Sequence, residues 1–332
     1  MNYKKLTVHD LKSISRENHI KGYSLLNKED LIKHIKKNLN KKKKMNGGQQ
    51  NGIVLQRNNL FKILGYNLQK SEKTIRSFAS KEIYIDISFK TIISIYPYTF
   101  NWLNNIEELK LNNNKISELK VETFNGLSKL RLLDLRENQI SELKENTFNG
   151  LSGLEGLDLS SNSINKVEPG AFNGLSRLEG LELSSNSINK VEPGAFNGLS
   201  SLKILKLHDS EIKEIKENTF NGLSSLKILE LHNNEISELK VNTFNGLSSL
   251  EELDLSSNYI NNVEDGAFNG LSNLNKLYLT NNAIIKNYKK ENITKAKFSS
   301  SKSIFRELKK GVEIYYGSSD FRQRNTTTNY IQ

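Results

Sequence analysis

One stretch of the chain, from about Leu103 to Asn282, consists of a 24-residue unit repeated in tandem, ending in F-N-G-L-S or a near match. A unit this short cannot bury its own apolar face, so consecutive units must stack and share one core. Leucines two residues apart, such as Leu133 and Leu135, place both side chains on one face of a short strand. The period therefore predicts a solenoid with one short parallel strand per repeat.

Two further columns of recurring residues run through the units. Phenylalanine recurs in step over eight units and predicts one interior column, formed by Phe100, Phe124, Phe148, Phe172, Phe196, Phe220, Phe244 and Phe268. Asparagine follows the strand, where a buried amide can hydrogen-bond the backbone groups of the turn, at Asn114, Asn138, Asn162, Asn186, Asn234, Asn258 and Asn282. Repeat five carries Ser210 instead. Its short hydroxyl offers fewer hydrogen bonds, which predicts a local weak point.

The recurring string L-x-x-L-x-L-x-x-N-x-I, as in Leu130, Leu133, Leu135, Asn138 and Ile140, resembles the leucine-rich repeat of the typical 24-residue class. The resemblance implies an α/β fold, a curved horseshoe solenoid whose strands line the concave face. It also implies a non-catalytic role in recognition.

The ends of such a solenoid need caps, because an open end exposes apolar surface. We place an N-terminal cap at residues 53–84, about eight repeats at 85–284, and a C-terminal cap with a basic tail at 285–332. The segment from Ile53 to Ser80 suits a cap with helix, and residues from Ile304 to Tyr316 suit a short amphipathic helix followed by a terminal strand.

Residues 1–39 fit two short amphipathic helices around an extended turn that contains glycine. Asn27 precedes Asp30 with the spacing of a helix N-cap, as Thr7 precedes Asp10. The segment resembles the helix-extension-helix of SAP-like modules and, more closely, the N-terminal module of the Rho transcription termination factor, through L-K-x-I and I-K-G-Y-S-x-L-N-K-x-D-L-I. A basic linker rich in glycine and asparagine follows at residues 40–52.

Related modules often accompany nucleic-acid-binding proteins. The resemblance therefore implies that lysines of this module contact phosphates by counterion release, without reading the base sequence: Lys12, Lys21, Lys28, Lys33, Lys36 and Lys37. The alternative is a helical appendage whose lysines are a solvated face. Tyr23 is the only aromatic residue between residues 6 and 37, which counts against base stacking.

The charge of the chain is unevenly distributed. The net charge is +11, but residues 1–50 contribute +9 while the repeats at residues 103–282 contribute −9. The repeats therefore do not predict a basic nucleic-acid-binding face. A third possibility is that the basic terminal segment covers the acidic face of its own chain, through an attraction screened beyond ~8 Å at physiological ionic strength.

Strand residues that face outward form the natural contact surface of a solenoid. Here they form a mostly acidic stripe, with a shallow patch at Gly156 and Gly180, and predict a protein partner with a basic segment. The alternative is that the stripe only keeps the protein soluble. The candidate protein-binding residues are Asp134, Arg136, Asp158, Glu182, Lys206, His208, Glu230, His232, Asp254 and Tyr278.

His208 and His232 occupy equivalent positions in adjacent repeats, so their side chains should lie ~5 Å apart. With Asp209 and Glu230 nearby, they could in principle bind zinc. A zinc site needs fixed second-shell partners and usually more than two imidazoles, so we favour a repeated surface histidine and expect no metal and no cofactor.

Catalysis and membrane contact are not expected. The chain has no cysteine and lacks the phosphate-binding, zinc-protease and serine-nucleophile motifs. No window approaches the ~20 apolar residues of a membrane span, and the start, MNYKKLTVHD, lacks an apolar signal core. We expect an intracellular protein, without choosing a compartment.

Repeats three and four, at residues 153–176 and 177–200, differ only at Gly153 versus Arg177 and at Asp158 versus Glu182. This near identity indicates tandem duplication. An active site needs one irreplaceable geometry, whereas a recognition frame tolerates copying, so the duplication favours binding over catalysis.

Overall fold

The computed structural model describes residues 27–30, 32–33, 52–56, 59–60, 63–64, 83–284, 295–297, 308 and 311–315. Within them the chain forms a solenoid of short strands joined by turns, with α-helical backbone at 28–30, 32–33, 59–60 and 63 and 3₁₀ backbone at 283–284. Among the described residues, no helix has the length and apolar character that crossing a bilayer requires.

Each repeat contributes one strand of three residues to the main sheet, because its L-x-L segment buries alternate side chains. The strands are β1 Ile53–Leu55, β2 Tyr84–Asp86, β3 Ile92–Ile95, β4 Glu108–Lys110, β5 Leu132–Asp134, β6 Glu142–Leu143, β7 Gly156–Asp158, β8 Lys166–Val167, β9 Gly180–Glu182, β10 Lys190–Val191, β11 Ile204–Lys206, β12 Ile228–Glu230, β13 Glu238–Leu239, β14 Glu252–Asp254, β15 Asn262–Val263, β16 Lys276–Tyr278, β17 Lys295–Lys297 and β18 Glu313–Tyr315.

The main sheet has eleven strands in the order β17-β18-β16-β14-β12-β11-β9-β7-β5-β4-β2. From β2 to β16 neighbouring strands are parallel and pair residues 24 positions apart, as in Leu133 with Leu157 and Leu157 with Leu181. On the opposite side of the repeats, β6, β8 and β10 form a small parallel sheet, and β13 pairs with β15. The predicted solenoid of parallel strands is confirmed.

The turns opposite the main sheet contain little helix. They carry hydrogen bonds between residues three apart, such as the N–H of Leu151 to the carbonyl of Phe148 (3.3 Å) and that of Leu154 to Leu151 (3.0 Å). Gly150, in the F-N-G-L-S step, has a φ of 96°. A residue with a side chain rarely adopts this conformation, which interrupts an α-helix after one turn. The helical layer that an α/β horseshoe suggests is therefore reduced to turns in the described repeats.

The eight phenylalanines form a continuous buried column, as the sequence predicts. Adjacent rings are stacked with centroids 5.8 to 6.4 Å apart. Paired strands lie only about 4.8 Å apart. Each repeat is therefore thicker at its phenylalanine than at its strand, and a stack of such wedges must curve with the main sheet on the inside. We call the outer surface of the main sheet the concave face.

The asparagines form the predicted ladder. The Nδ2 group of Asn138 donates to the carbonyls of Leu111 and Leu135, both at 3.0 Å, and its Oδ1 accepts the N–H of Ile116 at 3.0 Å. The pattern links each repeat to the one before it. At the interrupted position, the hydroxyl of Ser210 is buried and has no hydrogen-bond partner among the described residues. The structure thus shows an unsatisfied polar group where the sequence predicts a weak point.

Additional strands lie at both ends of the solenoid. At the first end, β1 pairs in parallel with β3, and Leu55 and Leu60 are fully buried in the core. The segment predicted to supply cap helix thus opens with a strand. At the other end, β18 extends the main sheet with Ile314 buried, and β17 adds to it in antiparallel fashion. Apart from Leu308, the helix predicted before this terminal strand lies outside the described residues. The domain boundaries stay predictions.

Candidate functional site

The register of the main sheet brings the candidate residues of the concave face together. From β2 to β18, the last residues of the parallel strands of the main sheet form a central column, which runs through Asp86, Lys110, Asp134, Asp158, Glu182, Lys206, Glu230, Asp254, Tyr278 and Tyr315. A second column, two residues further along each repeat, contains Arg136, His208 and His232. Every candidate protein-binding residue therefore lies in one of two adjacent columns.

Three aspartates of the central column project less than the sequence suggests. Asp134, Asp158 and Asp254 are only 4%, 6% and 4% exposed. The Oδ1 of Asp158 accepts hydrogen bonds from the backbone N–H of Ser160 (2.9 Å) and from its hydroxyl (2.6 Å). Burial raises the pKa of Asp158, and the bonds from Ser160 oppose that rise. These three carboxylates lie against the sheet and are largely desolvated.

The pKa of Asp134 is shifted far from its ordinary value. Desolvation raises the pKa of Asp134 to about 6, although the neighbouring Arg136 guanidinium lowers it. A terminal nitrogen of Arg136 lies 3.2 Å from Oδ2 of Asp134, and the other lies 4.0 Å from Asp158. This Oδ2 is buried and has no hydrogen-bond partner within the part of the chain that the structure describes, so its contact with Arg136 is an ion pair without hydrogen-bond alignment. Arg136 thus neutralises part of the negative charge of Asp134 and Asp158, which lie in adjacent repeats.

Lys206 interrupts the acidic run of the central column. Its ammonium lies 3.2 Å from Oε2 of Glu182. Burial lowers the pKa of Lys206, but Glu182 and Glu230 outweigh burial and raise it. Burial also raises the pKa of Glu230, against the effect of Lys206. Charges in this part of the face are therefore largely desolvated and only partly neutralised.

A recess lies between these rungs. Gly156 and Gly180 are paired in register, and Gly180 pairs in turn with Ile204. A Cβ placed on Gly180 would meet no atom within 4 Å. Both glycines are buried, but Gly180 has free space for a side chain beside Asp158 and Glu182.

Aromatic side chains lie toward both ends of the concave face. Tyr278 stacks on Tyr315 with ring centroids 4.5 Å apart, and the Lys110 ammonium lies 5.3 Å from the centre of the Tyr84 ring. The candidate set omits Tyr315, because a non-repetitive insertion precedes it and removes the 24-residue spacing signal. Asp86 lies 24 positions before Lys110, so counting back would have found it.

The two histidines stack face to face, with ring centroids 4.3 Å apart and an interplanar angle of 9°. Nδ1 of His208 lies 2.9 Å from Oδ2 of Asp209, and Nε2 of His208 lies 3.6 Å from Oε2 of Glu230. Nδ1 of His232 lies 3.5 Å from Oδ2 of Asp254. The sequence predicted the proximity of the rings and placed Asp209 and Glu230 nearby, but it did not predict the contact of His232 with Asp254.

Only part of the N-terminal module is described. Asn27 forms the predicted cap, because its Oδ1 accepts the backbone N–H of Asp30 at 3.0 Å. Lys28 and Lys33 are exposed, and Lys33 lies 3.9 Å from Asp30. The other candidate nucleic-acid contacts, Lys12, Lys21, Lys36 and Lys37, and the cap predicted at Thr7 lie outside the described residues.

Comparison with known proteins identifies both parts of the chain. The family model described as leucine rich repeat matches residues 84–140, 129–188, 176–236 and 224–284. The model of the Rho termination factor N-terminal domain matches residues 2–44. The fold is similar to that of a solved structure, "Crystal structure of TLR13-ssRNA13 complex", with a TM-score of 0.60 and 31% sequence identity over 64% of this chain. The match spans 30% of that chain's length. No curated protein matches the sequence.

Proposed function

Because the chain belongs to the leucine-rich repeat family, we propose that it is a non-catalytic scaffold that binds a protein partner along its concave face. The observation that carries the proposal is the open recess at Gly180, beside the largely desolvated carboxylates of Asp158 and Glu182. A side chain of a partner can approach the sheet there and contact the carboxylates of Asp158 and Glu182 in adjacent repeats.

The ionisation of this face favours a basic partner. Burial raises the pKa values of Asp158 and Glu230, because few water molecules stabilise their ionised forms. A lysine or arginine of a partner would supply the missing stabilisation at close range. An acidic partner would instead add repulsion to carboxylates that are already poorly solvated.

The repeat frame holds these groups in place before binding. The asparagine ladder and the phenylalanine column join each rung to its neighbours. A partner that docks on such a preformed surface loses less free energy to ordering the scaffold.

The test is to fill the recess with Gly180→Tyr, whose added side chain enters open space at a position without a left-handed φ. The matched control is Val121→Tyr, at an exposed position in a turn outside the main sheet. Proteins retained by each immobilised variant are compared by quantitative mass spectrometry, after circular dichroism has shown that both fold. We expect Gly180→Tyr to lose a protein that the wild type and Val121→Tyr both retain. Equal retention by all three would contradict the concave-face proposal.

A second candidate function is that of a nucleic-acid-associated adaptor, anchored through the N-terminal module. The match to the Rho termination factor N-terminal domain and the charge of +9 on residues 1–50 favour it. The similar solved structure is a complex of TLR13 with ssRNA13. In this chain the central column carries mostly carboxylates, which repel phosphates, so we assign nucleic-acid contact to the N-terminal module and not to the concave face.

The adaptor function is tested in the full chain by replacing six module lysines with glutamine: Lys12, Lys21, Lys28, Lys33, Lys36 and Lys37. The control replaces six exposed repeat lysines: Lys115, Lys129, Lys144, Lys166, Lys213 and Lys240. Binding to DNA and RNA is measured across a salt series. We expect the salt slope to fall by about 0.7–0.9 for each lost phosphate contact in the module variant alone. If the wild type does not bind at ~50 mM salt, where such contacts are strongest, the adaptor function is wrong.

A further inference from the structure

We propose that His208, His232 and Asp209 form a binding site for one divalent transition-metal ion of the zinc type. Each of the three offers one ligand atom, and these atoms all lie within 4.8 Å of one another. Zinc binds imidazole nitrogen and carboxylate oxygen at about 2.0–2.2 Å, which places the ligands of one ion about 3–4 Å apart. The three ligand atoms are therefore close enough to share one ion once their side chains rotate toward it.

Carboxylates that can orient the ligands lie behind both histidines, at distances slightly longer than a hydrogen bond. Carboxylate oxygens of Glu230 and Asp254 face one nitrogen of His208 and His232, at 3.6 and 3.5 Å. Both carboxylates are largely buried. A histidine ligand characteristically donates its other ring N–H to such a carboxylate, which fixes the tautomer and makes the coordinating nitrogen more basic. The opposite nitrogen of each ring would then coordinate the ion.

The third ligand is positioned in the same way. Oδ1 of Asp209 accepts a hydrogen bond of 2.8 Å from Nδ2 of Asn233, which orients the carboxylate. Its Oδ2 already lies 2.9 Å from Nδ1 of His208. A bound ion would lie between these two atoms and be coordinated by both. The lone pair of an imidazole lies in the ring plane, and the stacked rings must tilt toward each other when the ion binds.

This combination occurs at one place in the solenoid. At the equivalent positions, repeats three, four and seven carry two serines, as in Ser160 with Ser161. Repeats five and six replace them with His208 and Asp209, and with His232 and Asn233. The chain has five histidines, and the other three lie in the N-terminal module. The solenoid is therefore expected to bind a single ion.

The ligand types select the class of metal. Two imidazoles and one carboxylate suit zinc, nickel and copper, whereas magnesium and calcium prefer sets of oxygen ligands. Three protein ligands leave a position of a tetrahedral ion for water or for a ligand from another molecule. The concave face would then present a positive centre within its acidic stripe.

The test is isothermal titration of the full chain with zinc chloride at pH 7.5. The double variant His208→Asn with His232→Asn removes both imidazoles, and the control replaces His9, His19 and His34 with asparagine. We expect one zinc ion per chain at the solenoid site, an affinity at least about 100-fold weaker in the double variant, and unchanged binding in the control. Circular dichroism verifies the folding of each variant.

A second variant tests whether the orientation of the histidine ligands contributes to zinc binding. Asp254→Asn leaves all three ligands in place but weakens the orientation of His232, so zinc affinity should fall about 10–100-fold. Cobalt(II) provides an independent readout, because its visible absorption band should appear with the wild type and not with the double variant. The proposal is overturned if wild-type protein binds no zinc at millimolar concentration, or if the double variant binds zinc as tightly as the wild type.

Discussion

At Ser210 the ladder of buried amides lacks one rung. The amide of Asn186 makes the bonds that an asparagine at 210 would make one repeat later, with the carbonyls of Leu159 and Leu183 and the N–H of Ile164. Ser210→Asn can restore these bonds and remove an unpaired buried hydroxyl. We expect the free energy of unfolding to rise by about 1–3 kcal/mol, measured by urea denaturation. Asn186→Ser should lower it by a similar amount. A destabilised Ser210→Asn protein would show that repeat five has no room for the amide.

The carboxyl of Asp134 links stability to pH. Its folded-state pKa of about 6 lies above the ordinary value of 3.8. The native state therefore binds more protons than the unfolded state between these values, and the contribution of Asp134 to stability is lost as pH rises from about 4 to 6. Asp134→Asn removes this loss. We expect the variant to gain about 2–3 kcal/mol relative to wild type between pH 3.5 and 7, in urea titrations at each pH. A constant difference would contradict the raised pKa.

At the residue scale, the 24-residue period predicted the positions of repeated side chains. It did not predict properties that depend on contacts between neighbouring repeats. The columns of phenylalanine and asparagine follow from spacing alone. The burial of Asp134 does not, because it depends on how closely the side chains of neighbouring repeats pack around it. Of the two carboxylates behind His208 and His232, Glu230 was expected nearby, whereas the contact of Asp254 with His232 was missed.

At the scale of structural elements, the phenylalanine column holds the wide side of each repeat apart. Phe196→Ala would leave a cavity where the ring is stacked between Phe172 and Phe220 at 6.1 and 6.3 Å. We expect a loss of about 3–5 kcal/mol in the free energy of unfolding, measured by urea denaturation. Phe89→Ala is the control, because that ring is 71% exposed, and should change stability by less than about 0.5 kcal/mol. Equal effects of the two substitutions would refute a stabilising role for the column.

The strands of the main sheet were predictable because each contains the L-x-L pattern. The two-residue strands on the opposite side, such as β8, are too short for alternation to show in the sequence. β17 lies in the polar, lysine-rich insertion, where no repeat spacing applies. Strand β1 was expected to be part of a helical cap, because its apolar run of three residues does not distinguish strand from helix.

At the scale of the whole molecule, each repeat behaves as an exchangeable unit. Deleting residues 177–200 would place Gly156 beside Ile204 and Asp158 beside Lys206, in the register that the sheet already uses. We expect a folded, shorter solenoid with an unchanged circular dichroism spectrum per residue. The control is a deletion of residues 177–188, which removes half a unit and shifts every later side chain out of its column. Aggregation or unfolding of both deletions would show that repeat four is individually required.

The near identity of repeats three and four also affects how the gene itself can change. Recombination between two such similar coding segments inserts or removes whole units in frame. Because each inserted unit brings its own strand, phenylalanine and asparagine, we expect every product along such a series to retain a complete core. We therefore expect single genetic events to change the number of repeats that line the recess at Gly156 and Gly180. Related chains could then differ in the length of this surface, with each intermediate still able to fold.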